Sequence, residues 1–380
     1  MSERPFLLDV SRLIWRVWRG GLPTGIDRVC HAYVEHFGAR SQAVVQRRGF
    51  HFVLSPADSD RLFRLLLAKE PVRRTLLTFA VSASLRTVKT SPRLGCLYLN
   101  VGHTGLNEPS LPTWIARHRL RAVYLIHDLI PLTHPQLCRD GEAEKHKLRL
   151  NNVLASAAGV IGNSQATVDD LAGFAERQGH SMPPSVVAWL GAEDFPHDPR
   201  PKIGGKPHFV VVGTIEGRKN HQLLMDVWRD IVADRRQEAP LLVIIGQRGW
   251  QANEVFDQLD RPGDLEGHVL ELSSCDDDDL AGWIAGARAL LMPSFAEGFG
   301  LPVMEALQLG TPVIATDLPV YREIAGDRPV YLGPTDKAGW KSAVESLAGG
   351  PQSKKMPDFR APTWQDHFST VEAWLKMLSV

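Results

Sequence analysis

Short apolar runs alternate along this chain with longer stretches whose apolar positions recur at helical spacing. In the first half the runs cover residues 6–10, 96–101, 122–127 and 159–162. In the second half they cover 208–212, 241–245, 269–272, 289–292 and 312–315. Most are β-branched or Leu-rich and do not alternate with polar residues, as expected of strands covered on both faces in a parallel sheet. Between them the spacing predicts helices over 26–37, 142–158, 166–177, 221–234, 277–287 and 302–309. Strands and helices in strict alternation give a doubly wound α/β architecture. The Pro- and Gly-rich segment 191–207 reads as a linker, because a fresh buried strand follows it. A second such stretch, 349–362, precedes an amphipathic helix at 364–378. The expected organisation is a domain over 1–195, on which the last helix, 364–380, packs back, and a second domain over 196–363.

Length supports that division, since 380 residues suit about two cores. An apolar content of 44% and a charged content of 23% are those of a soluble globular chain. The formal net charge of zero gives no global reason to expect a nucleic-acid partner. The first residues are too short and too acidic for a secretory signal, and no apolar run approaches the roughly 20 residues of a spanning helix. Cys30, Cys96, Cys138 and Cys275 have neither metal nor redox spacing. A cytoplasmic location follows as the expectation.

Two segments of the second half carry the chemistry. In 211–221 a buried strand runs into a loop containing Gly213, then Arg218 and Lys219, then a helix. Cations and a helix N-terminus at the carboxyl end of a strand favour an anion, and a diphosphate is the natural guest. Arg218 can grip phosphate oxygens as a fork, and Lys219 adds a point charge. In 293–310, Glu297 precedes Gly298, Phe299, Gly300 and Leu301, and Pro302 suits a first helical turn. The two glycines let backbone amides approach a ligand. Glu305 falls one turn into the helix, where its two oxygens can accept from vicinal hydroxyls.

Glu297 and Glu305 form an E-x7-E pattern, with the Arg218–Lys219 pair about eighty residues before it. In this the second half resembles the retaining GT-B glycosyltransferases grouped as family 4, and among them bacterial polysaccharide mannosyltransferases. The resemblance implies two Rossmann-like domains facing a central cleft. It implies a nucleotide-sugar donor, GDP-mannose or a UDP-sugar, with no metal and no further cofactor required. It also implies roles: Arg218 and Lys219 on the donor diphosphate, Glu297 and the 298–300 amides on the sugar, and Glu305 on the ribose. The first half then holds a glycan or lipid-linked acceptor. There the resemblance is weaker. Residues 19–28 look like the family's Gly-rich loop facing the diphosphate, with Thr24 and Gly25 nearest the helix start. Residues 11–19 form an insertion before that loop, and its Trp15, Trp18 and arginines suit either an acceptor pocket or rim packing. His127, at a strand end, matches a family histidine near the reaction centre, and Arg28 and Asp128 are acceptor candidates. Ser164 reads as a helix N-cap.

Asp276–Asp279 contains the Asp-x-Asp pattern that binds metal in GT-A transferases, but its place before a helix favours capping. The stretch 61–93 is Leu-rich and basic, with Glu70 its one acid, and suits either docking to the anionic inner face of the cytoplasmic membrane or an ordinary surface helix pair. Two alternatives to transfer stand beside these expectations: a non-catalytic sugar-nucleotide-binding subunit and a GT-B sugar-nucleotide epimerase.

Overall fold

The computed structural model describes residues 4–20, 24–68, 73–86, 94–192, 195, 206–349 and 359–378, with the side chains of 82–86 outside the description. Much of the expected linker and part of the basic stretch, residues 69–72 and 87–93, lie outside the described residues. The chain divides into two compact units. The first comprises Met1–Leu129, Ala143–Leu190 and Trp364–Val380, and the second Ile130–Glu142 and Gly191–Thr363.

The first unit contains β1 (Phe6–Asp9), β2 (Ser41–Arg47), β3 (Phe50–Val53), β4 (Leu97–Asn100), β5 (Arg121–Ile126), β6 (Ala157–Gly162) and β7 (Ser185–Val187), in the sheet order β3-β2-β1-β4-β5-β6-β7. All neighbours are parallel except β2 and β3. Every residue of β1 and β4 is buried, as the continuous apolar runs require. β2 and β3 carry polar residues at alternating depths, so their runs were not visible as buried strands.

Residues 11–19, expected as an insertion with no element assigned, are helical. They form the helix Ser11–Arg19, which buries Leu13 and ends at Gly20 in the left-handed conformation. The following helix, Gly25–Phe37, starts with a capping box: the Thr24 hydroxyl and the Asp27 carboxylate serve the two orphan backbone groups. Ser164 caps the Gln165–Arg177 helix by accepting from Thr167 N at 3.1 Å. The C-terminal helix, Trp364–Leu378, belongs to this unit. Its His367 lies 3.0 Å from the Tyr33 hydroxyl, and its Phe368 stacks on His36 at 4.0 Å. Glu372 accepts from His36 at 2.8 Å.

The second unit holds β8 (His208–Val212), β9 (Leu241–Ile245), β10 (Val269–Leu272), β11 (Leu290–Met292), β12 (Val313–Thr316) and β13 (Val330–Leu332). Their order, β10-β9-β8-β11-β12-β13, is wholly parallel and is the Rossmann arrangement, with the order reversing between β8 and β11. The helices His221–Arg235 and Lys337–Ala348 pack in one core with Phe209, Leu242 and Ile244. The indoles of Trp228 and Trp340 are fully buried there, and each donates to a carbonyl, Pro240 O at 3.0 Å and Gly333 O at 2.9 Å. Among the described residues no helix is long and apolar enough to cross a membrane.

Candidate functional site

Ligands of open α/β sheets bind at the carboxyl ends of the strands, where the strand order reverses. In the second unit that place lies between β8 and β11, and the two loops leaving these strands hold the residues singled out above. The loop after β8 begins at Gly213, whose φ of +138° is denied to residues with a side chain. A Cβ there would also sit 3.3 Å from Lys219 Cε, so the glycine lets the lysine stem run along the backbone. The loop closes in a short turn, Gly217–Lys219, and ends at Asn220, which takes a left-handed φ of 54°. The Asn220 amide donates to Pro293 O at 3.1 Å and Pro334 O at 2.8 Å, tying this turn to the loop after β11.

Five side chains converge there. Arg218 Nη1 donates to Glu297 Oε2 at 2.9 Å and to Ala296 O at 3.0 Å. Lys219 Nζ donates to Glu297 Oε1 at 2.5 Å, and the Ser294 hydroxyl donates to the same oxygen at 2.8 Å. Arg218 Nε lies 2.7 Å from Glu216 Oε1. Burial alone would raise the Glu297 carboxyl, but the Lys219 ammonium and then the Arg218 guanidinium outweigh it and hold it at about 2. The carboxylate is therefore ionised throughout the physiological range, and its charge balances one of two closely placed cations.

The loop continues to Gly300, the N-cap of the Leu301–Gln308 helix, with φ of +104°. A Cβ at Gly300 would come within 2.6 Å of Tyr321 Cε1, so the loop backbone rests directly on that ring. Pro302 occupies the first turn, Phe299 is buried, and Glu305 is buried on the helix at 2% exposure. Gly213, Arg218, Lys219, Glu297 and the 298–301 backbone thus share one end of one sheet. Spacing gave no sign of Ser294, Glu216, Asn220 or Tyr321. Asn220 alone had a local signal, a residue type tolerant of left-handed backbone directly before a helix.

In the first unit the order reverses between β1 and β4. Asp27, at the start of the Gly25–Phe37 helix, is 1% exposed and takes two arginines: Arg12 Nε at 2.7 Å and Arg16 Nη2 at 2.9 Å. Burial would raise its carboxyl, but Arg12 and the Thr24 hydrogen bonds prevail and lower it. Thr24 also accepts from Arg12 Nη2 at 3.2 Å. Thr24 and Gly25 therefore begin a helix whose N-terminal charge is already met by Asp27, with the arginines clasping it. Arg28 follows on the same helix, half-buried. Sequence reasoning had the arginines of 11–19 as acceptor-pocket or rim residues, not as partners of Asp27, which it missed.

His127 stands at the end of β5, 4% exposed, with Nε2 donating to Val101 O at 2.8 Å. Burial pushes its imidazole down to about 4. It is a neutral side chain at pH 7. Asp128 follows, and its carbonyl accepts from His146 at 3.1 Å.

Asp276 caps the Asp277–Gly286 helix, accepting from Asp279 N at 2.7 Å. Among the described residues no three His, Cys, Asp or Glu side chains come together in a way that could hold a metal ion.

Residues 194–357 match the family of glycosyl transferases group 1. The serotype-specific mannosyltransferase WbdA of Escherichia coli is 26% identical over 275 residues, which are 68% of this chain but 34% of that protein. The matched stretch thus spans about a third of the length of this relative. The O-antigen chain mannosyltransferase B of Escherichia coli is 28% identical over 233 residues, 59% of this chain and 61% of that one. Among solved structures, Anabaena Alr3699/HepE in complex with UDP-glucose aligns with a TM-score of 0.63 over 98% of this chain and 99% of its own, at 15% identity. That likeness concerns the fold, which is GT-B with two Rossmann-like domains.

Proposed function

We propose that this chain, whose residues 194–357 are a glycosyl transferases group 1 domain, is a retaining, metal-independent hexosyltransferase of bacterial surface polysaccharide synthesis. Its donor is a nucleotide-sugar, GDP-mannose in the first instance, and its acceptor a glycan or a lipid-linked oligosaccharide. The mannosyltransferase names of its relatives support the sugar. The UDP-glucose held by the Anabaena structure keeps a UDP-sugar as the alternative donor.

The observation that carries this reading is the Arg218–Lys219–Glu297 constellation at the reversal point of the second sheet. In the reaction the bond between the anomeric carbon and the diphosphate oxygen breaks, and its electron pair stays on the diphosphate. The acceptor hydroxyl oxygen bonds to the same face of that carbon, and its proton passes to the departing phosphate oxygen. Negative charge therefore grows on the diphosphate. Two fixed cations suit that charge, and being placed in advance they need no reorganisation. Glu305 takes the ribose hydroxyls, Glu297 and the glycine-loop amides take the sugar, and His127, neutral at pH 7 with its Nε2 proton held by Val101 O, serves as a hydrogen-bond acceptor through Nδ1 near the transferred sugar. Thr24 and Gly25 face the diphosphate, and Arg28 and Asp128 contact the acceptor.

The test is incubation of the purified chain with GDP-mannose, UDP-glucose and a panel of lipid-linked oligosaccharides in EDTA. Transfer with an anomeric proton signal of unchanged configuration is the expected result. An absence of transfer and of nucleoside diphosphate release with every donor would overturn the proposal.

Peripheral contact with an anionic membrane belongs to the same reading. On the first unit Trp18, Phe50, Phe52, Leu77 and Val81 are exposed apolar side chains, Phe50 by 68%. Arg47, paired with Phe50 across β2 and β3, lies over the Trp15 ring, and Arg73 and Arg74 are exposed nearby in sequence to Leu77. Arginines beside exposed aromatic rings suit a bilayer interface. Co-sedimentation with phosphatidylglycerol vesicles that weakens with salt is expected, and no binding at low salt would remove this part of the proposal.

A further inference from the structure

Tyr321 lies on the helix Pro319–Ala325, which follows β12, and is completely buried. Its backbone is fastened, because the Tyr331 hydroxyl donates to Tyr321 O at 3.0 Å. Its ring supports Gly300, the residue that turns the glycine loop into the Leu301–Gln308 helix. A phenylalanine would supply that support equally well. What the phenol adds is a hydroxyl enclosed by protein, lying against Ser294 and Glu297 without a well-formed hydrogen bond to either. A buried hydroxyl whose neighbours are close but poorly aligned recovers only part of its desolvation cost.

The neighbouring carboxylate already has three donors, with one acceptor position left on Oε2. Glu297 accepts from Arg218, Lys219 and Ser294 at once. A nucleotide-sugar brings a diphosphate that competes for the two cations, and Glu297 then needs another donor in a site that excludes water. We propose that Tyr321 is a positioning residue: its hydroxyl takes up the Glu297 carboxylate when the donor diphosphate draws on Arg218 and Lys219, and holds that carboxylate for the sugar. This rests on the donor-site reading above and adds to it a second state for Glu297. In that second state the hydroxyl is satisfied and the carboxylate keeps a charge-assisted hydrogen bond, so the tyrosine acts on the sugar and not on the nucleotide.

The experiment compares the 380-residue chain with its Tyr321→Phe variant by calorimetric titration of GDP, UDP, GDP-mannose and UDP-glucose, together with thermal unfolding. The expected result is a Tm equal to or above that of the parent and nucleoside diphosphate affinity within about twofold. The preference for nucleotide-sugar over the matching nucleoside diphosphate should fall about tenfold, the scale of one hydrogen bond to a charged group. An unchanged preference would overturn the proposal. So would a lowered Tm with equal losses for both ligand types, which is what a purely structural tyrosine gives. If the parent protein binds none of the four ligands, the donor-site reading fails first and this inference falls with it, an outcome distinct from the other two.

Discussion

Replacing Glu297 by glutamine keeps the shape of the side chain and removes its charge, so it imitates the protonated carboxyl at every pH. In the parent protein the carboxyl is held at about 2 against an ordinary value of 4.5, although it is buried. About 2.5 units at 1.36 kcal/mol each correspond to about 3 kcal/mol of stability. The sign follows from the depressed value. The contribution is present above the ordinary carboxylate range and is lost as the pH falls from about 4.5 toward 2. Glu297→Gln should therefore be about 3 kcal/mol less stable than the parent at pH 7. By pH 3 about 2 kcal/mol of that difference should have gone. Urea unfolding of both proteins at pH 7, 5, 4 and 3 measures the gap directly. A gap that stays constant with pH, or is absent at pH 7, would refute the idea that the two cations hold this carboxylate ionised. The same substitution frees Arg218 and Lys219 of a competing anion, so GDP or UDP should bind the variant at least as tightly as the parent while sugar transfer is lost.

Lys219→Ala and Glu305→Ala should each lose turnover by about a hundredfold or more in a donor-hydrolysis or transfer assay, with unchanged far-ultraviolet circular dichroism. Near-parental rates in both would remove these residues from the donor site. Gly300→Ala places a Cβ at 2.6 Å from Tyr321 Cε1 on a backbone of positive φ, and differential scanning fluorimetry should show a loss of about 1–3 kcal/mol. Asp276→Ala should cost about 1 kcal/mol through the lost cap and leave transfer rates unchanged with or without added manganese. A manganese-dependent rate abolished by that substitution would mean that the aspartate run is a metal site.

The continuous apolar runs of the second half gave β8 and β9 to the residue, because strands covered on both faces leave no polar interruptions to blur their ends, while β10, a half-buried edge strand carrying Glu271, was read from its apolar residues alone. The same property hid the edges. β3 and β13 lie at sheet margins, and β3 exposes two phenylalanines, so neither has a buried signature. Ser11–Arg19 was missed as a helix because its apolar positions are mixed with tryptophans and arginines that resemble an irregular loop. At the candidate site the motif residues were legible, since Arg218, Lys219, Glu297 and Glu305 sit in short local patterns. Their partners were not. Ser294 is near in sequence but unremarkable in type, Tyr321 arrives from the next strand–helix unit, and Asp27 acquires its meaning only when Arg12 and Arg16 fold across it. Side chains joined by the sheet order and not by spacing leave no trace in a one-dimensional pattern.

The central claim is that Arg218 and Lys219 receive a nucleoside diphosphate at the reversal point of the second sheet. The most direct measurement is calorimetric titration of GDP and of UDP into the parent protein and into the Arg218→Ala, Lys219→Ala double variant. One nucleotide should bind the parent, and the affinity should fall by at least about a hundredfold in the variant, as expected on removing two charge-assisted contacts. Binding of equal strength to both proteins, or binding of neither nucleotide to the parent, would contradict it.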